Sequence, residues 1–245
     1  IDGFPAGMTL DMPFILSEMA RRAPGNGTLT TARKETDQPE ILSGVMNGRT
    51  TGQPICCMIR NTGARSADYG DGVDLVRPGH ADYTAQIKYG GFQDVAGGGH
   101  FSGRLTAPLC IAGGLCKQWL KDMGISIGAH IAAIGDVTDT AFDPMNPQLE
   151  QVNGAFPVLD ASSGETMRAA IAEAKSREDS LGGIVECAVT GLPAGLGEPM
   201  FGGVESKLAQ IIYGIPAVKG LEFGMGFAAS AMSGRSCIWM RTMSP

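Results

Sequence analysis

The 245-residue sequence contains no Cys-x-x-Cys pair and no histidine at metal-ligand spacing, although it has six cysteines, at positions 56, 57, 110, 116, 187 and 237. Zinc sites are built from such clusters, so no metal is expected. Cys56 and Cys57 lie between Ile55 and Met58, apolar surroundings that read as buried free thiols in a reducing compartment, with the cytoplasm as the expected location. No apolar run approaches the ~20 residues that cross a bilayer, so no membrane partner is expected. An excess of positive charge is also missing. The 19 Lys and Arg stand against 25 Asp and Glu, a net charge of −6, which argues against nucleic acid as a partner. The 36 glycines follow no G-X-Y period, so they mark turns and close backbone approaches rather than collagen. What remains is a chain with 43% hydrophobic residues, long enough to bury a substantial core in one domain.

Local patterns predict a mixture of helix and strand. Asp11 to Arg22 reads as a helix capped by Asp11, with Pro13 in its first turn, Phe14, Leu16 and Met19 facing the core, and an end near Pro24-Gly25. Gly44 to Thr50 is rich in turn residues and Ile55 to Ile59 is an apolar strand. Leu105 to Met123 has Leu109, Ala112, Cys116 and Leu120 at helical spacing and stops at Gly124. Ile127 to Ile134 is a strand. A helix from Ser163 to Arg177, with an i,i+4 pair from Glu173 to Arg177, precedes a strand from Gly183 to Thr190. His130, inside a strand pattern, is expected to be a satisfied core or edge histidine, and the scattered methionines are core filler. Gly224-Met-Gly226 imitates a dinucleotide fingerprint, but it follows no long buried strand and no acidic residue appears ~20 residues on.

The densest chemistry lies in Arg77-Pro-Gly-His-Ala-Asp-Tyr-Thr, Lys88-Tyr89-Gly90 and Gly97-Gly-Gly-His100-Phe-Ser-Gly-Arg104. Glycines turn the main chain with exposed N–H groups just before a helix start, which suits an anion. The guanidinium forks of Arg77 and Arg104 match phosphate or carboxylate, and His80 is the nearby group able to exchange a proton near neutral pH. By its residues alone His80 reads first as an unremarkable loop histidine, because Pro-Gly-His is ordinary turn chemistry. Arg21, Arg22 and Arg33 alone would be a solvated basic face.

The succession of these blocks resembles the chorismate synthase family. Upstream, Asp2-Gly3-Phe4-Pro5-Ala6-Gly7, Arg21-Arg22-Ala23-Pro24-Gly25, Arg33-Lys34-Glu35, Ile41-Leu42-Ser43-Gly44-Val45 and Gly48-Arg49-Thr50-Thr51-Gly52-Gln53-Pro54-Ile55 look like its opening blocks. Downstream, Gly191-Leu-Pro-Ala-Gly-Leu-Gly-Glu-Pro199 and the stretch from Ile215 to Phe227 look like its later ones. The resemblance covers residues 1–234, taken as one domain, and implies an α+β fold of two antiparallel sheets sandwiched between helices, assembled as a homotetramer.

The resemblance further implies a lyase that converts 5-enolpyruvylshikimate 3-phosphate to chorismate by eliminating phosphate, with reduced FMN as cofactor and NADPH as an optional flavin reductant. His80 is then the catalytic acid, Arg22, Arg77 and Arg104 bind the phosphorylated substrate, and His100, Phe101 and Ser102 contact the FMN. Arg22 would also serve NADP, if that is used. A block carrying Gly-Glu-Ser-His-Gly is expected before Ile1, and further flavin-contacting and Gly-Arg-His-Asp-Pro blocks after Gly234. Ala96 stands where the family commonly has arginine. Residues 235–245 match no block, and a reading-frame change near Gly234 is their expected origin. The alternative reading is an inactive truncated homologue that binds the anionic ligand without turnover.

Overall fold

A computed structural model of the chain describes residues 1–23, 37–61, 76–94 and 96–235. These group into two compact units, Ile1–Met123 and Gly124–Pro245. Helices alternate with small antiparallel sheets, so the α+β class expected from the resemblance stands. Arg33, the Pro24-Gly25 helix end and the tail from 236 with Cys237 lie outside the described residues.

In the first unit, helix α1 spans Met12–Arg22. The Asp11 carboxylate accepts the Phe14 N–H at 3.0 Å and Pro13, which has no N–H, needs no acceptor in the first turn, as expected. Ala23, preceding a proline, leaves the helix with ψ 134°. Strands β1 (Pro39–Ser43), β2 (Val45–Met46), β3 (Arg49–Thr50) and β4 (Cys56–Ile59) follow. β2 and β3 close a hairpin over Asn47-Gly48, whose φ values of 49° and 73° suit a type I′ turn that asparagine and glycine adopt without penalty. β1 pairs antiparallel with β4, Ile41 opposite Cys57, with an irregularity between Ile41 and Ser43. Helices α2 (Asp82–Tyr89) and α3 (Thr106–Asp122) complete the unit, and Gly124 follows α3 with φ 79°.

α1 packs on α3. Phe4, Ile15, Met19, Ile55, Ile111 and Leu115 form the core between them and β4, and removal of such side chains from water is the main favourable term here. The buried stripes match the periodicity reading at Met19, and at Leu16 and Cys116, which pack partly buried against the core, and differ elsewhere. α1 buries Ile15 and Met19, with Phe14 and Leu16 only half-buried, and α3 buries Ala107, Ile111, Gly114 and Leu115 while Leu109 is exposed. α3 is apolar all round from Ala107 to Cys116, so 3.6-residue spacing offers two stripes there, and α1 meets the one that carries the small Gly114, over which Ile15 sits at close range. The thiols differ too: Cys56 and Cys187 are exposed, and Cys57, Cys110 and Cys116 are half-buried.

In the second unit, strands β5 (Ser126–Ile134), β6 (Val137–Thr138) and β7 (Gly183–Thr190) form an antiparallel sheet in the order β6-β5-β7. Helix α4 (Ala161–Ser176) starts at Asp160, whose carboxylate accepts the N–H groups of Ser162 and Ser163, and Arg177 pairs with Glu173 at 2.8 Å. Met167, Ala174 and Val152 are fully buried. A further helix, α5 (Val204–Ile212), buries no residue. No helix among the described residues is long and apolar enough to cross a membrane.

Candidate functional site

All of the sequence-predicted site residues fall in the first unit. The structure gathers them into two clusters, each at the start of a helix.

The first cluster surrounds the start of α2. Arg77-Pro-Gly-His is a type II turn pattern: Pro78 holds the first central position, Gly79 takes φ 70° at the second, and the His80 N–H donates to the Arg77 carbonyl at 3.3 Å. A side chain at Gly79 would be forced into a conformation that L-residues avoid, so this glycine is what sets Arg77 and His80 side by side. Asp82 follows in the first turn of α2, where the helix dipole favours negative charge. Its Oδ2 accepts the Arg77 backbone N–H at 3.0 Å and Nε at 2.7 Å. Its Oδ1 lies 2.9 Å from Arg77 Nη2 and 2.5 Å from His80 Nδ1. The Arg77 guanidinium above all, with its backbone N–H and the His80 ring, holds the Asp82 carboxyl far below the usual range despite some desolvation.

The second cluster surrounds the start of α3. Ser102 caps the short 3-10 turn Gly103–Leu105, its Oγ accepting the Arg104 N–H at 3.2 Å. The Arg104 guanidinium donates to Asn61 Oδ1 at 2.9 Å. Thr106, first residue of α3, accepts from Arg22 Nε at 3.1 Å and donates to the Gly103 carbonyl at 2.7 Å. Arg22 also forms an ion pair with the buried Asp37. Long-range contacts thus bring Arg22, at the end of α1, to the same helix start as Arg104, which sequence spacing could not reveal. His100 and Phe101 end the adjoining 3-10 turn Ala96–Phe101, and Phe101 is exposed.

Sequence reasoning missed Asp82, Asp37, Asn61 and Thr106 as partners of these residues. Asp82 had a signal, a carboxylate two residues beyond a histidine at a helix start. The other three are distant in sequence from the arginines they hold. The arrangement presents arginine forks, a hydroxyl and an imidazole, and suits orienting an anion and exchanging a proton with it.

A family model described as chorismate synthase matches residues 1–238. The curated chorismate synthase of Chitinophaga pinensis is 47% identical over 96% of this chain and 62% of its own length. Those of Dehalococcoides mccartyi and Korarchaeum cryptofilum are 43% and 42% identical over 96% of this chain, and 64% and 65% of their own. A solved structure, the crystal structure of a chorismate synthase, superposes with a TM-score of 0.77 at 29% identity, covering 96% of this chain and 66% of that one. The chain therefore spans somewhat less than two thirds of the length of the curated relatives it matches. With motif order, sequence identity and fold in agreement, the chain belongs to the chorismate synthase family.

Proposed function

We propose that this chain performs the lyase chemistry of its family: elimination of phosphate from 5-enolpyruvylshikimate 3-phosphate to give chorismate, with reduced FMN as cofactor. The observation that carries the reading is the pairing of an oriented histidine, His80, with arginines gathered at two helix starts in one unit of a chain that belongs to this family. Arg22, Arg77 and Arg104 neutralise and orient the phosphorylated substrate, and His80 exchanges the proton at its Nε2.

The donor set beside Arg104 fits a flavin. Phe101 offers an exposed aromatic face, with a histidine ring and a serine hydroxyl as its neighbours on a tight turn. His100, Phe101 and Ser102 would hold FMN, and reduced FMN would lend electron density to the breaking C–O bond. Arg22 would meet NADPH, where that serves as reductant. Residues 1–234 act as one functional domain in a cytoplasmic homotetramer.

A second reading has an observation behind it. Asp37, Asp82 and Asn61 already engage Arg22, Arg77 and Arg104, which restricts how those side chains can move during a reaction, so anion binding without turnover is the alternative. An oxygen-free assay with reduced FMN decides between them. Chorismate and phosphate appearing in equal amounts, and lost in His80→Ala, support the lyase. Binding without either product supports the second reading.

A further inference from the structure

We propose that Asp82 is the positioning residue of the site, fixing the proton of His80 on Nδ1 so that Nε2 is the atom that faces the ligand. This rests on the reading of His80 as the proton-exchanging group, but the geometry stands independently of which reaction follows.

Among the described residues His80 Nδ1 has two neighbours, Asp82 Oδ1 at 2.5 Å and Arg77 Nη2 at 3.3 Å. An ionised carboxylate only accepts, and a guanidinium nitrogen only donates. If Nδ1 were unprotonated, Arg77 Nη2 would be its donor and two lone pairs would oppose each other across 2.5 Å at Asp82. If Nδ1 carries the proton, it donates to Oδ1, and Arg77 Nη2 is satisfied on the same oxygen at 2.9 Å. The second arrangement leaves no clash between like partners. Asp82 is ionised in it, because four contacts from Arg77 and His80 converge on its two oxygens.

The same contacts restrain the ring. His80 is about one quarter exposed and Asp82 similarly so, while the carboxylate is pinned by the Arg77 backbone as well as by its side chain. Rotation of the imidazole about its bond to Cβ would break the 2.5 Å contact. Nδ1 is thereby removed from chemistry and Nε2 becomes the one ring nitrogen at which a proton is gained or lost. A carboxylate that serves only to start α2 would need neither the contact to Nδ1 nor a particular tautomer of His80.

The test is the nitrogen NMR spectrum of the full chain labelled in its histidine rings, with His80 assigned through His80→Ala and read above its titration. Protonated Nδ1 and unprotonated Nε2 are expected. In Asp82→Asn the amide can donate to Nδ1, so the neutral ring should move to the Nε2–H form, and Asp82→Glu should restore part of the Nδ1–H signal. An Nε2–H ring in the unsubstituted chain overturns the proposal without any variant having to fold, as does an unchanged tautomer in folded Asp82→Asn. In the anaerobic assay Asp82→Asn should lower kcat about a hundredfold and also raise KM, because Asp82 holds the substrate arginine Arg77 as well as His80. Absence of turnover in the unsubstituted chain would sink the lyase reading while the ring spectrum still decides the role of Asp82.

Discussion

His130 and Glu186 stand opposite each other across β5 and β7, with His130 Nε2 2.8 Å from Glu186 Oε2. The other ring nitrogen meets Asp139 Oδ2 at 3.0 Å, and Phe142 packs edge-on against the ring. His130 is fully buried, as the reading of a satisfied core histidine expected. Asp139 also accepts the N–H groups of Leu159 at 2.6 Å and Asp160 at 2.9 Å, so one imidazole ties the approach to α4 to the sheet.

Loss of Asp139 should therefore be costly. Its side chain is fully buried, and Asp139→Asn leaves donors without an anionic acceptor, so a loss of about 3 kcal/mol is expected in urea unfolding. Equal stability of variant and parent would show that the network is incidental.

The same residue sets an acid limit. Burial pushes the Asp139 carboxyl up, but the backbone N–H groups of Leu159, Asp160 and Thr140, with His130, outweigh this and hold it below its ordinary value. Such a group contributes stability that is complete above the unfolded value of about 3.9 and is lost as pH falls through the lower folded value. Unfolding midpoints measured below about pH 4 should fall more steeply in the parent than in Asp139→Asn.

At the other site, Arg77→Ala should let the Asp82 carboxyl titrate closer to its ordinary range, because the guanidinium is the largest cause of its depression. Carbon NMR of the side-chain carboxyl follows this directly. No upward movement would mean that His80 and the helix start suffice.

Gly79→Ala should cost about 1 kcal/mol from its positive φ alone, since none of the described residues lies within 4 Å of where the new Cβ would stand. D-alanine introduced there by chemical ligation should cost nothing. If both behave alike in unfolding experiments, the turn is not as described.

The buried face of α3 is open to a paired test. Leu115 is 1% exposed and Leu109 49%, so Leu115→Ala should cost about 3 kcal/mol and Leu109→Ala well under 1 kcal/mol. The reverse order would restore the stripe that periodicity suggested.

Much of the local structure was legible in the residues. Asp11 with Pro13 marked the start of α1, Gly124 the stop of α3, and Gly183 to Thr190 the whole of β7. Arg77-Pro-Gly-His announced its turn, and the order of the blocks announced the family. Each of these depends on atoms within a few residues, where φ preferences and capping hydrogen bonds act without help from the rest of the chain.

Other features were decided by the tertiary structure. Which side of α3 is covered depends on where α1 lies, because an apolar helix has no unique stripe of its own. Arg22 finds Asp37 and Thr106, and Arg104 finds Asn61 43 residues away, since a buried or half-buried guanidinium must be paired and the fold determines which acceptors are within reach. His130 likewise meets Glu186 across 56 residues once β5 and β7 are in register. Sequence by itself determined the turns, the caps and the family; pairing across long separations came from collective burial, which no local pattern encodes.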